Sequence, residues 1–157
     1  GCVYDDENRT LFISEENTNG VLKAYKLDSA LNFGNPIIVD SRQGNIGGDP
    51  EGVAIYKTSS TSGYVVLSSQ GDSKYNIYNR EAPYEYINSF RIGPSMYGLI
   101  DGASDTDGVA ISSNKLNIDF PQGLLVVQDG YNKDKGIDKN QNFKYVSFRD
   151  VLKKLQL

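Results

Sequence analysis

The sequence predicts an all-β protein: a β-propeller segment of about three four-stranded blades, ending in a short C-terminal helix. Three observations carry this expectation. The composition is turn-rich and β-prone, with 16 glycines, 11 tyrosines and no tryptophan in 157 residues, as suits pleated, half-buried surfaces. One plan of apolar runs and turns occurs three times along the chain. Its opening glycines, Gly1, Gly52 and Gly108, recur at about the 40–50-residue interval of a propeller blade with loop insertions. A β-sandwich shares the strand composition but leaves three copies of one plan unexplained.

A chain of this length folds as one domain that buries roughly 70% of its unfolded surface. The repeat units fall at about 1–48, 49–104 and 105–157. In the first, strands are expected at 1–4, 11–16 and 21–25, with a further run at 37–39. In the second they are expected at 52–56, 63–70, 75–78 and 86–90. In the third they fall at 108–111, 123–128 and 143–146, around a longer insertion. The first two runs of each unit are rich in Val, Ile, Leu and Tyr and flank a turn, as in an antiparallel hairpin. Val65-Val66-Leu67 and Leu124-Leu125-Val126-Val127 are continuously apolar, the pattern of strands buried on both faces. Phe148, Val151, Leu152 and Leu155 fall at i, i+3, i+4 and i+7, which predicts the helix. Ser147 is its expected N-cap, with Asp150 three positions on.

Composition removes several chemistries. Twenty acidic residues against 16 basic give a net charge of −4, which argues against nucleic acid because no cationic excess meets a phosphate backbone. No apolar run approaches the ~20 residues needed to span a bilayer. There is no histidine, so a Ser-His-Asp triad and His-ligated zinc or iron are excluded. Cys2 is the only cysteine, so no intrachain disulfide or CxxC metal knuckle forms. It cannot head a cysteine-phosphatase loop either, because Asn8 stands where that loop needs arginine. Catalysis is left to carboxylates, amides, hydroxyls and hard cations. The start at Gly1, without methionine or leader, is expected of an excised or mature segment.

The polar residues recur in phase with the repeat. The start of a hairpin's first strand and the end of its second share one sheet edge. Glu51 and Asp107 precede the opening glycines of units two and three, while Glu16, Gln70 and Gln128 close the second strands. Asp49 and Asp105 lie two positions before Glu51 and Asp107, on the same side if extended. Asp101 lies one short loop earlier, and Asp129 follows Gln128. Carboxylates crowded at one rim resist ionising together unless a cation neutralises them. Oxygen ligands without His or Cys select hard ions, Ca²⁺ foremost. Taken singly, Asp-Gly and Asp-Pro pairs are ordinary turn chemistry; the repetition in phase favours metal. Residues 101–112 fail the EF-hand register, with Gly108 at loop position eight and Ser112 at position twelve. Gln141-Asn142-Phe143-Lys144 either serves an anion or closes a strand.

At these residues the chain resembles the alkaline β-propeller phytases, calcium-dependent phosphatases acting on inositol hexakisphosphate. The anchors are Asp5-Asp6-Glu7, Glu15-Glu16, Asp49-Pro50-Glu51-Gly52, Ser68-Ser69-Gln70-Gly71, Tyr75-Asn76-Ile77-Tyr78, the segment from Asp101 to Gly108, Gln128-Asp129-Gly130 and Asn140 to Lys144. Their order and spacing cover nearly the whole chain. The resemblance implies a six-bladed propeller with calcium in and above the channel, and adjacent cleavage and affinity sites for neighbouring substrate phosphates. Glu16, Asp49, Glu51 and Asp107 match acids that hold the catalytic calcium cluster. Gln70 and Asp101 match calcium-binding positions, Asp101 at a structural ion. Phytate or another phosphorylated inositol would be cleaved by metal-activated water without a phosphoenzyme. A secreted or periplasmic location is implied too.

Only three units are present, so the chain corresponds to the C-terminal half of the family domain. The missing N-terminal half would carry an Asp-Asp-Pro motif and the phosphate-gripping lysines and arginine. The 157 residues alone are therefore expected to be inactive and the parent chain active. A non-catalytic, calcium-stabilised binding or scaffold propeller is the alternative. A lactonase or phosphotriesterase is disfavoured because those enzymes place histidine near the metal.

Overall fold

Three antiparallel sheets follow one another along the chain in a computed structural model that describes residues 1–157. The first contains β1 (Cys2–Asp5), β2 (Thr10–Glu15), β3 (Val21–Lys26) and β4 (Ile37–Ser41), in that spatial order. The second repeats the meander with β5 (Pro50–Lys57), β6 (Gly63–Ser69), β7 (Lys74–Asn79) and β8 (Tyr86–Phe90). The third contains β9 (Val109–Ser112), β10 (Leu124–Asp129) and, after a separate two-stranded hairpin of β11 (Lys133–Asp134) and β12 (Ile137–Asp138), β13 (Asn142–Ser147). Its order is β13-β10-β9, so this unit has three strands rather than the expected four. The chain leaves β13 directly into helix α1 (Phe148–Leu155) and lays no strand on its outer edge.

The core forms two layers. Between the first and second sheets, Phe12, Leu22 and Ala24 meet Val53, Ile55, Val65, Leu67 and Tyr78. Between the second and third, Val66, Tyr75, Ile77 and Phe90 meet Leu125, Val127, Phe148 and Val151. Successive strand residues face opposite ways, so Val65 and Leu67 enter one layer and Val66 the other. All three are fully buried, as the apolar run predicts. Truncating Leu67 to alanine would cost about 2–5 kcal/mol. β10 departs from the prediction. Leu125 and Val127 are buried, but Leu124 and Val126 are half-exposed because only one face of the third sheet has a neighbour within these residues.

Helix α1 packs through its predicted apolar stripe. The Phe148 ring stacks on Tyr56 with centroids 3.8 Å apart. Ser147 occupies the N-cap position with extended backbone, but its hydroxyl makes no capping bond. Asp150 pairs with Arg149 at 3.3 Å, so the expected capping box does not form.

The first strands of the three sheets stand side by side, β5 in contact with both β1 and β9. The Gly52 amide donates to the Asp107 carbonyl at 2.7 Å, and the Ser14 hydroxyl donates to the Glu51 carbonyl. A Cβ at Gly52 would lie 2.6 Å from the Asp107 oxygen, so the close approach requires glycine. These bonds stitch the three sheets together at the rim where the predicted acids lie.

Candidate functional site

Three of the predicted acids meet at that rim. Glu51, at the start of β5, is half-buried, and its carboxyl is pushed above the usual glutamate range. Burial is the largest cause, followed by the adjacent Glu16 carboxylate and then by Asp107. Glu16 follows the end of β2, and Asp107 leads into β9. One acid therefore comes from each sheet. No lysine or arginine side chain pairs with any of them. Partial burial and neighbouring like charges are what make Glu51 resist ionisation. The closest association is the Glu16–Glu51 pair with Asp107 beside it; no three acids form a ready-made single-ion cage.

Amides frame this group. Gln70 Nε2 donates to Asp107 Oδ1 at 2.7 Å. Gln128 Oε1 accepts from the Asp107 amide at 2.8 Å, and its Nε2 donates to Gln141 Oε1 at 3.2 Å. The in-phase recurrence of Gln70 and Gln128 thus has a structural counterpart, because both brace Asp107.

The other predicted site residues have different surroundings. The Asp49 carboxylate pairs with Arg42, while its carbonyl accepts from the Gln70 amide at 2.8 Å. Asp105 is not extended, since its φ of 51° turns the backbone left-handed, and its amide donates to Ser73 Oγ at 3.1 Å. Asp101 and Asp129 belong to a second cluster around Lys144. Lys144 Nζ contacts Asp101, reaches Asn132 Oδ1 at 2.9 Å and lies 3.2 Å from Asp129 Oδ2. Burial pushes the Asp101 carboxyl up, but Lys144 and the Lys133 amide outweigh it and hold it below the usual aspartate range. Lys144 is thus engaged by two hydrogen bonds and a second carboxylate, so it closes this corner rather than waiting for an anion.

Sequence reasoning missed Arg42, the one arginine or lysine side chain paired with a predicted site acid on this rim. Its signal was weak: a cation seven positions before Asp49 in a polar turn. At the opposite end of the sheets, Arg80 forms a buried pair with Asp5 and reaches Glu7 at 2.8 Å, while Lys57 contacts Glu7 at 2.7 Å.

Successive meandering sheets carrying an oxygen-only, histidine-free acid rim define the class as an all-β protein. Comparison of the sequence with known proteins agrees, and the chain belongs to the phytase family. The family model for phytase matches residues 1–156. A 3-phytase of Bacillus subtilis (strain 168) is 36% identical over 157 residues, covering 99% of this chain. The chain spans 40% of that relative's length.

Proposed function

We propose that these residues form the acid-bearing part of a calcium-dependent phytase that hydrolyses phosphate monoesters of phytate or related inositol phosphates within a longer chain. The observation that carries the reading is the meeting of Glu16, Glu51 and Asp107, one from each sheet, with no lysine or arginine side chain on them. The donor set fits a hard cation: carboxylate and amide oxygens, with neither sulfur nor imidazole. Glu16 and Glu51 would hold calcium with Asp107, and Asp49 would join after leaving Arg42. Gln70 and Gln128 keep Asp107 oriented, and Asp101 serves a separate structural position. When bound, calcium offsets phosphate charge and lowers the pKa of water. The remainder of the parent chain would supply phosphate-gripping cations, so the 157 residues alone are inactive. A secreted or periplasmic setting would supply the calcium that such sites need.

The test is phytate hydrolysis by the full-length parent during a Ca²⁺ titration, with thermal stability followed in parallel. Turnover should appear with calcium, and Glu51→Gln should abolish it without lowering the calcium-free melting temperature. Stabilisation by calcium without any phosphate release would instead identify a binding or scaffold module.

A further inference from the structure

Arg42 is built into the rim rather than resting on it. Its amide donates to the carbonyls of Asn19 and Gly20, each at 3.0 Å. Its side chain lies across Gly20, where a Cβ would come within 2.6 Å of Arg42 Nε and 2.7 Å of its Cγ. Gly20 has a φ of 46°, and Asn17 Oδ1 fixes this turn by accepting from the amides of Asn19 and Gly20 at 2.9 and 3.0 Å. The turn begins directly after Glu16. The guanidinium is thereby held between the Glu16 turn and Asp49, with which it pairs. The pair is about one-third exposed on both sides, so either partner can be exchanged without disturbing the core.

We propose that Arg42 is a switching phosphate contact: it neutralises Asp49 while the rim lacks a cation and, once Asp49 turns to one, takes a substrate phosphate. The proposal rests on the reading of this rim as a calcium-dependent phosphatase site. Its chemistry is that of the two partners. A carboxylate cannot give its full charge to both a guanidinium and a cation, so Arg42 and calcium compete for Asp49. A guanidinium fork released beside the cluster matches the geometry of phosphate oxygens. Arg42 would thus add a substrate contact from within these 157 residues.

The experiment compares the wild-type parent chain with Arg42→Ala and Arg42→Lys. Calcium binding is measured by calorimetry without substrate, and steady-state phytate hydrolysis at saturating calcium. Arg42→Ala should tighten calcium binding by about two- to fivefold, the size of an exposed ion pair. It should raise the KM for phytate by roughly tenfold, the size of a lost charge-assisted hydrogen bond, while kcat stays within about twofold. Arg42→Lys should fall between, keeping the charge but losing the fork. Weaker calcium binding in Arg42→Ala would overturn the proposal by making Arg42 a mere orienter of Asp49, and an unchanged KM would overturn it as well. A wild-type chain that neither binds calcium nor releases phosphate would instead overturn the functional reading itself. The calcium isotherm and the wild-type control therefore separate the two failures.

Discussion

The two ends of the sheets treat their acids in opposite ways. At the end away from the candidate site, Asp5 and Arg80 are both fully buried, joined by Nε to Oδ2 at 2.6 Å and Nη2 to Oδ1 at 2.5 Å. Arg80 Nη1 also donates to the carbonyls of Ser59 and Ser62, each at 3.2 Å, so its charge and donors are satisfied. At the other end Glu16, Glu51 and Asp107 come together with no lysine or arginine partner. At the Asp5 end the chain supplies a basic residue to an acid that it buries. The acid group left without one at the other end is the basis of the proposed function.

Removing the internal cation should have the largest effect. Arg80→Ala leaves Asp5 buried and uncompensated, a change that typically costs about 3–5 kcal/mol. Urea denaturation should show most of the native stability gone, and calcium should not restore it. A loss below about 1 kcal/mol would show the two ends to be less different than their geometry implies.

The Asp5–Arg80 pair also marks the limit of what the sequence reveals. Its partners are 75 residues apart, and no local pattern links them. Patterns carried by neighbouring residues were legible: Val65-Val66-Leu67 announces a strand with two buried faces, and Phe148, Val151, Leu152 and Leu155 announce α1. Leu124-Leu125-Val126-Val127 looks the same in sequence but has one half-exposed face, because burial depends on a neighbouring sheet and not on the strand. The in-phase acids were legible as a set through the repeat. Their individual partners were not, because Arg42 on Asp49 and Lys144 on Asp101 depend on loop paths between sheets.

Calcium should act at the rim alone, with a smaller effect. A ligand that binds only the folded state at a hundred times its Kd stabilises by about 2.7 kcal/mol. The melting temperature of the wild type should therefore rise with calcium. Glu51→Gln and Glu16→Gln should each lose most of that rise, while Glu7→Gln, at the opposite end, should keep it. A rise retained in both rim variants would place the calcium elsewhere, with the Asp101 and Asp129 cluster the next site to probe.

The smallest effect is the pH dependence of the calcium-free protein, and the two ends give it opposite signs. Burial pushes the Asp5 carboxyl up, but Arg80 and the hydrogen bonds from Asn8 outweigh it, so it titrates below its ordinary 3.8. Asp5 therefore contributes stability that is present above pH 3.8 and is lost as pH falls through its lowered folded value. Glu51 titrates above its ordinary 4.5 through burial, Glu16 and Asp107, with the Gly1 ammonium offsetting only part of this. Its contribution is full below pH 4.5 and is lost as pH climbs through the raised value. Without calcium the protein should be most stable in mildly acidic solution. Glu51→Gln should flatten the decline toward neutral pH and leave the acid limb alone, because Asp5 and the other carboxyls held low, Asp101 among them, are untouched. Saturating calcium should flatten the same limb in the wild type. If Glu51→Gln left the neutral limb unchanged in denaturation midpoints across the pH range, the rim acids would not be repelling one another, and the contrast between the two ends would fail.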